Sequence, residues 1–216
     1  MSKNKTAGKK HQKPIYIAIE IIVVLAIIAG AAFFLLGDKD KAAPAGDKMT
    51  ATDYVQIDIA NYGSITAELY GNLAPITVEN FLKLTDEGFY DGLTFHRIIS
   101  GFMIQGGDPL GNGMGGSEQN IKGEFAANGI ENNLSHTRGV LSMARSHMPD
   151  SASSQFFIMH ADADHLDGNY AAFGRVLSGI EVVDAICEKT PVTDGNGSVN
   201  PADQPVITSI KRIEKP

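Results

Sequence analysis

The sequence predicts a mainly β domain, a closed barrel of short strands capped by two α-helices and preceded by one membrane-spanning helix. Three observations predict it. Short segments alternate between apolar and polar residues and are bounded by Gly, Asn and Pro; two stretches instead show helical spacing; and one long apolar run lies near the N-terminus.

The 216 residues suffice for one domain of ordinary size and an appendage. A hydrophobic content of 43% and a charged content of 20% exclude wholesale disorder. Charge is unevenly placed. Residues 1–14 hold five lysines and no acid, whereas from Met49 onward 10 Lys and Arg face 21 Asp and Glu, a net of −11. A domain this acidic repels phosphate backbones, so nucleic acid is not expected as a partner. Cys187 is the single cysteine, which excludes an internal disulfide and a Cys-rich zinc site. Within the pattern Ile180, Val183, Ile186, Cys187 it reads as a packed residue of a short helix.

After the basic tail of residues 1–14, the 22 residues from Ile15 to Leu36 are almost wholly apolar. As a helix they span about 33 Å at about 1.5 Å per residue, close to a bilayer core of about 30 Å. Glu20 is the exception, near enough to the lysine end to reach the headgroups. The lysine excess before the span predicts a single-pass anchor in the cell membrane, N-terminus cytoplasmic and domain extracytoplasmic. The alternative is secretion after signal cleavage near Ala42–Ala45, although the apolar run exceeds a typical signal core. Residues 37–51, rich in Gly, Ala, Pro, Asp and Lys, read as a flexible linker, and the folded domain covers 52–216.

Within that domain Val55, Ile57 and Ile59 alternate with polar residues, as do Ile65, Ala67 and Leu69 after the turn Asn61-Tyr62-Gly63. This is a hairpin pattern. Pro75 and Thr77 open a helix carrying Val78, Phe81 and Leu82, and Gly88 suits its stop. Strands are expected at 93–99, 102–105, 139–143, 155–159, 171–176 and 206–214, with a second helix over 180–188.

Several motifs carry less than they suggest. Gly111-Asn112-Gly113-Met114-Gly115-Gly116 satisfies G-x-G-x-x-G but lacks the βαβ surroundings of a dinucleotide site, and reads as a tight loop. Asp162, Asp164 and Asp167 depart from calcium-loop spacing, and His160 and His165 form no recognised metal pair. No Gly-x-Ser-x-Gly is present. The chain thus points away from hydrolysis and toward chemistry that needs neither a nucleophile nor a metal.

Two stretches do converge. Thr94 to Asp108 places a permanent cation (Arg97), an amide (Gln105) and two soft apolar side chains (Phe102, Met103) close together, and Ser154-Gln155-Phe156-Phe157-Ile158 again pairs an amide with aromatic rings. Lining one groove, they would make an apolar pocket with a few convergent polar groups, the usual form of a small ligand site.

These stretches, Phe95-His96-Arg97-Ile98-Ile99 with Gly101 to Asp108, Gly139 to Arg145, Ser154 to Ile158, and Leu166 to Val176, resemble the signature of cyclophilin-type peptidyl-prolyl cis-trans isomerases, bacterial-like and in family order over residues 52–214. The resemblance implies an eight-stranded antiparallel barrel capped by two helices. It implies Arg97 as the catalytic residue, Phe102, Met103, Phe157 and Leu166 as walls of a proline pocket, and Gln105 as the amide that holds the arginine. Ala144, Arg145 and Gln155 match positions flanking the substrate backbone, and His96, His165 and Tyr170 complete the implied binding set. His165 stands where many eukaryotic members have tryptophan, and Tyr170 where they have histidine. No cofactor is implied. The implied partners are proline-containing unfolded or partly folded polypeptides, with the bilayer held through residues 15–36. Cyclosporin is an implied ligand whose binding His165 weakens.

The chemistry suits the residues. X–Pro bonds cross a barrier of about 20 kcal/mol because amide resonance resists twisting. Rotation needs a slot for the ring and a donor that favours the twisted amide over the planar one. A proline-binding module without turnover is the alternative reading, as is a small-ligand barrel.

Overall fold

The computed structural model describes residues 49–216. The first two strands, β1 (Asp53–Ile59) and β2 (Gly63–Leu69), form the expected hairpin, with Asn61 at φ 67° in its turn. Helix α1 (Pro75–Asp86) follows, then β3 (Thr94–Ile99) and β4 (Met103–Asp108). After a long loop come β5 (Val140–Met143), β6 (Phe156–Met159), β7 (Ala172–Ser178), helix α2 (Ile180–Lys189) and β8 (Ile207–Ile213). All pairings are antiparallel, in the order β3-β4-β6-β5-β7-β2-β1-β8.

The expected closed barrel needs one correction: the sheet is an open half-barrel. Strands β3 and β8 are its two ends and share no ladder. Thr94 meets Val206 in an isolated bridge, and Ile207 donates to the Leu93 carbonyl. Farther along, the outer edge of β3 is covered by a loop instead. Ile98 N–H donates to Gly197 O, and Val199 N–H donates to His96 O. Backbone groups of an edge strand need partners, and here the loop before β8 supplies them, so β8 has no room to pair. Among the described residues no helix is long and apolar enough to cross a membrane; the span expected at 15–36 lies outside them.

Strand β4 runs to Asp108, past the expected end at Gln105, because Gly106 and Gly107 serve as strand residues where other side chains would collide. A Cβ on Gly107, at φ 78°, would lie 2.6 Å from Ser154 O. That close approach lets β4 and the segment before β6 lie side by side at the groove.

The main core lies between the sheet and the helices. Phe156 is fully buried, with Phe81 and Tyr90 in edge contact at 5.4 and 5.6 Å. Such aromatic pairs add to burial itself. A smaller apolar cluster containing Met103, Phe157, Met159 and Leu166 supports the opposite surface. Cys187 packs partly buried against the main core, and burial pushes its thiol up to about 11.

Helix α1 starts without a local cap. Its first free N–H groups reach instead to Glu124, 47 residues on: Ile76 and Thr77 donate to its carboxylate at 3.0 and 2.7 Å, and the Thr77 hydroxyl adds a third bond at 2.7 Å. Glu124 is buried, and an anion at a helix N-terminus is favourable.

Candidate active site

Strand pairing sets the site. Arg97 on β3 lies opposite Gln105 on β4, Gln105 opposite Phe157 on β6, and Phe157 opposite Ser142 on β5. Because alternate residues of a strand face one side, this row crosses four strands on one surface. Over it lies a cavity of about 560 Å³, lined by Arg97, Gln105 and Arg145 on its polar side, with Ala144 also in the lining. Phe102, Met103, Phe157, His165, Leu166 and Tyr170 form its apolar walls, and Asn169 completes it.

The turn Ser100-Gly101 presents Phe102. Gly101 takes φ 79°, and its N–H donates to His160 Nδ1 at 2.7 Å. Phe102 then stacks on His165 with ring centroids 5.7 Å apart, so these two side chains form one rim.

Arg97 is held by a directional chain. Its Nη1 donates to Gln105 Oε1 at 3.2 Å, Gln105 Nε2 to Gln155 Oε1 at 2.9 Å, and Gln155 Nε2 to Gly115 O at 2.7 Å. Arg97 Nε donates to Asn196 O at 2.9 Å. Burial lowers the guanidinium below its ordinary value, which Tyr170 and Asp194 partly offset; an arginine so placed stays cationic. Its orientation is fixed while part of its donor fork faces the cavity.

The wall loop carrying His165, Leu166 and Tyr170 is tied down from beneath. Asp167 accepts from the His136 backbone N–H at 2.7 Å and lies 2.8 Å from His136 Nδ1, and His136 Nε2 lies 2.9 Å from Ser142 Oγ. Burial lowers the His136 imidazole below its ordinary value, and because the Asp167 carboxylate can only accept, the neutral ring places its N–H at Nδ1 and leaves Nε2 to accept from Ser142. The arrangement resembles a catalytic triad, but Ser142 is fully buried under Phe157 and cannot attack a substrate. It acts as a clamp between wall and floor.

Of the sequence-predicted residues, Gln155 lies just beside this cavity, lining a second one of about 340 Å³ that shares Gln105, Ala144 and Arg145 with the first. His96 departs from expectation and lines neither. It is the unpaired residue of a bulge between Phe95 and Arg97, so its ring turns inward while Arg97 turns out. It is 5% exposed, both ring nitrogens lack partners, and burial keeps its pKa low. It fills space beneath the glycine loop, 3.7 Å from where a Cβ on Gly113 would sit. That loop closes around Asp108, which accepts from Leu110, Asn112 and Gly113 N–H groups at 2.8, 3.0 and 2.6 Å. It is a turn built on positive φ at Gly111 and Gly113, as its glycines suggested.

Sequence reasoning missed Asn169, the Asn196 carbonyl, the His136–Asp167 clamp, and Phe125, whose ring lies under the Arg145 guanidinium at 4.9 Å. All act across long sequence separations, and none repeats with a period that local pattern could reveal.

An apolar slot beside a fixed donor fork can seat a ring and hydrogen-bond a neighbouring amide. Comparison with known proteins agrees. The family profile described as cyclophilin type peptidyl-prolyl cis-trans isomerase matches residues 54–212. A peptidyl-prolyl cis-trans isomerase of Arabidopsis thaliana is 48% identical over 137 residues, covering 63% of this chain and 83% of that protein. One from Helicobacter pylori is 44% identical over 142 residues, 65% of this chain and 84% of that protein. A crystal structure of a Cryptosporidium parvum cyclophilin type isomerase superposes with a TM-score of 0.67 at 34% identity, covering 76% of this chain and 99% of that one. The same protein has been crystallised in the presence of the dipeptide Ala-Pro.

Proposed function

Because the chain belongs to the cyclophilin-type peptidyl-prolyl cis-trans isomerases, enzymes that need no cofactor, we propose that Arg97 is its catalytic donor, acting on X–Pro bonds of polypeptides outside the cytoplasm. The observation that carries this reading is Arg97, oriented through Gln105 at 3.2 Å, facing a cavity walled by Phe102, Met103, Phe157 and Leu166.

The proline ring enters the apolar slot, and the guanidinium faces the prolyl nitrogen. In the planar amide that nitrogen's lone pair is delocalised, and on twisting it becomes available to accept. The bond therefore forms chiefly in the transition state, where it raises kcat. Gln105, Gln155 and the Asn196 carbonyl fix the donor beforehand, so little reorganisation is needed at the moment of rotation. No covalent intermediate and no proton transfer are required. The test is the rate of cis-to-trans conversion of a short X–Pro peptide by the wild-type chain beside Arg97→Ala; equal rates above the uncatalysed one would mean that Arg97 is not the donor, and a wild-type rate no faster than the uncatalysed one would leave a proline-binding module as the better reading.

The location rests on residues 15–36 and the five lysines before them. Protease added to intact cells should remove the domain and leave the N-terminal peptide protected. A soluble product beginning near Ala42–Ala45 would make the segment a cleaved signal instead.

His165 carries the ligand reading. An imidazole buries less apolar area than an indole, and each Å² is worth about 25 cal/mol. Cyclosporin should bind the His165→Trp variant more tightly than the unaltered chain, by about 1–2 kcal/mol on that scale. Equal affinities in a direct titration would exclude the idea.

A further inference from the structure

The domain carries a net charge of −11, yet neither of the two joined cavities has an aspartate or glutamate in its lining. What faces them is Arg97, Arg145 and His165. Of the five arginines in the described residues, Arg138, Arg175 and Arg212 lie within 4.0 Å of carboxylates, whereas Arg97 and Arg145 do not. The two arginines without an ion pair are thus the two that line the groove. The charge of Asp194 reaches Arg97 without an ion pair within 4.0 Å, Asp167 is bound to His136 and Asp108 is enclosed by the glycine loop, so Arg145 is the groove cation with no carboxylate set against it.

Arg145 is also fixed in place. Its guanidinium lies between the rings of Phe125 and Tyr170, 4.9 and 4.7 Å from their centroids. Its Nε and Nη2 donate to Asn169 O at 3.1 and 2.8 Å, and its Nη1 donates to Ser146 O at 2.9 Å. These partners are neutral, so they orient the cation without cancelling it. A cation already held loses little side-chain freedom when an anion arrives, which removes the main penalty that weakens surface ion pairs.

The geometry points to a substrate preference: the groove selects proline-containing segments that carry a carboxylate close to the proline, and disfavours those with a lysine there. Arg145 is the specificity-determining residue, seated on the ridge shared by the two cavities. The proposal rests on the larger cavity being the proline site. A basic groove in an acidic domain also directs such segments to this one site, since the rest of the surface repels them.

Two series of X–Pro peptides test it with the full chain in a neutral detergent. Within each series the peptides differ only in Glu, Gln or Lys, two residues before the proline in one series and two residues after it in the other. In at least one series kcat/KM should fall in the order Glu, Gln, Lys, with about a three- to tenfold spread between Glu and Lys at low salt. The spread should sit in KM rather than kcat, because a charge held equally in ground and transition states contributes uniform binding. It should shrink toward one at 1 M salt, where the screening length is about 3 Å, and narrow in Arg145→Gln. The salt series in the unaltered chain decides the charge preference even if that variant fails to fold, and an unchanged spread in a folded Arg145→Gln overturns the assignment to Arg145. Turnover of the Gln peptides with no difference between Glu and Lys in either series overturns the charge preference and leaves the isomerase standing. Failure to turn over any peptide overturns both.

Discussion

Replacing Arg97 with alanine is expected to lower kcat/KM for X–Pro isomerisation by about two to three powers of ten, the equivalent of about 3–4 kcal/mol for one preorganised donor. The expectation follows from how the side chain is held. Gln105 and the Asn196 carbonyl orient the guanidinium before substrate arrives, so its loss removes an interaction made chiefly with the twisted amide. Arg97→Lys should rescue little. An ammonium has no planar fork, and cannot satisfy the Gln105 and Asn196 oxygens while also facing the prolyl nitrogen. Neither variant should unfold the protein, because Arg97 sits at the groove and makes no ion pair within 4.0 Å. Circular dichroism of both variants, run beside the kinetics, checks this.

The second large effect concerns the fold. Glu124→Ala should destabilise the domain by about 3–5 kcal/mol, since hydrogen bonds to a charged group are worth about 1.5–3 kcal/mol each and water entering the vacated space recovers part of the loss. The substitution strands two backbone N–H groups and one hydroxyl at the start of α1, with no local cap to replace the carboxylate. For a domain of this size the loss corresponds to a melting temperature lower by about 10 °C. Glu124→Gln, which keeps one acceptor oxygen, should lose less. A melting temperature unchanged in Glu124→Ala would show that α1 does not depend on this cap. Glu124 also precedes Phe125, whose ring supports Arg145, so groove and helix share one loop.

Much of this was legible in the sequence, for identifiable reasons. Period-two alternation gave β1 and β2, because one face of that hairpin meets the core and the other meets solvent. Pro75 and Gly88 marked the ends of α1. Ten of the twelve site residues named from the sequence line the larger cavity, since the motifs lie on neighbouring strands that bring Arg97, Gln105 and Phe157 into register. What escaped was of another kind. The extent of β4 depends on Gly106 and Gly107, which read locally as loop residues but are needed where two segments touch. His96 adjoins Arg97 in sequence yet is turned inward by a bulge that no pattern announces. The half-barrel stays open because the loop holding Gly197 and Val199 occupies the edge of β3. Glu124 and the His136–Asp167 clamp join residues 31 to 48 apart, and at such separations spacing carries no information.

The central claim, that the Arg97 guanidinium stabilises the twisted amide rather than merely binding peptide, is tested most directly by NMR exchange between the cis and trans forms of a saturating X–Pro peptide on Arg97→Ala. The account predicts that the peptide still binds while cis and trans interconvert on the enzyme about two to three powers of ten more slowly than on the wild type. A well-folded Arg97→Ala that binds the peptide and interconverts it at the wild-type rate would contradict it.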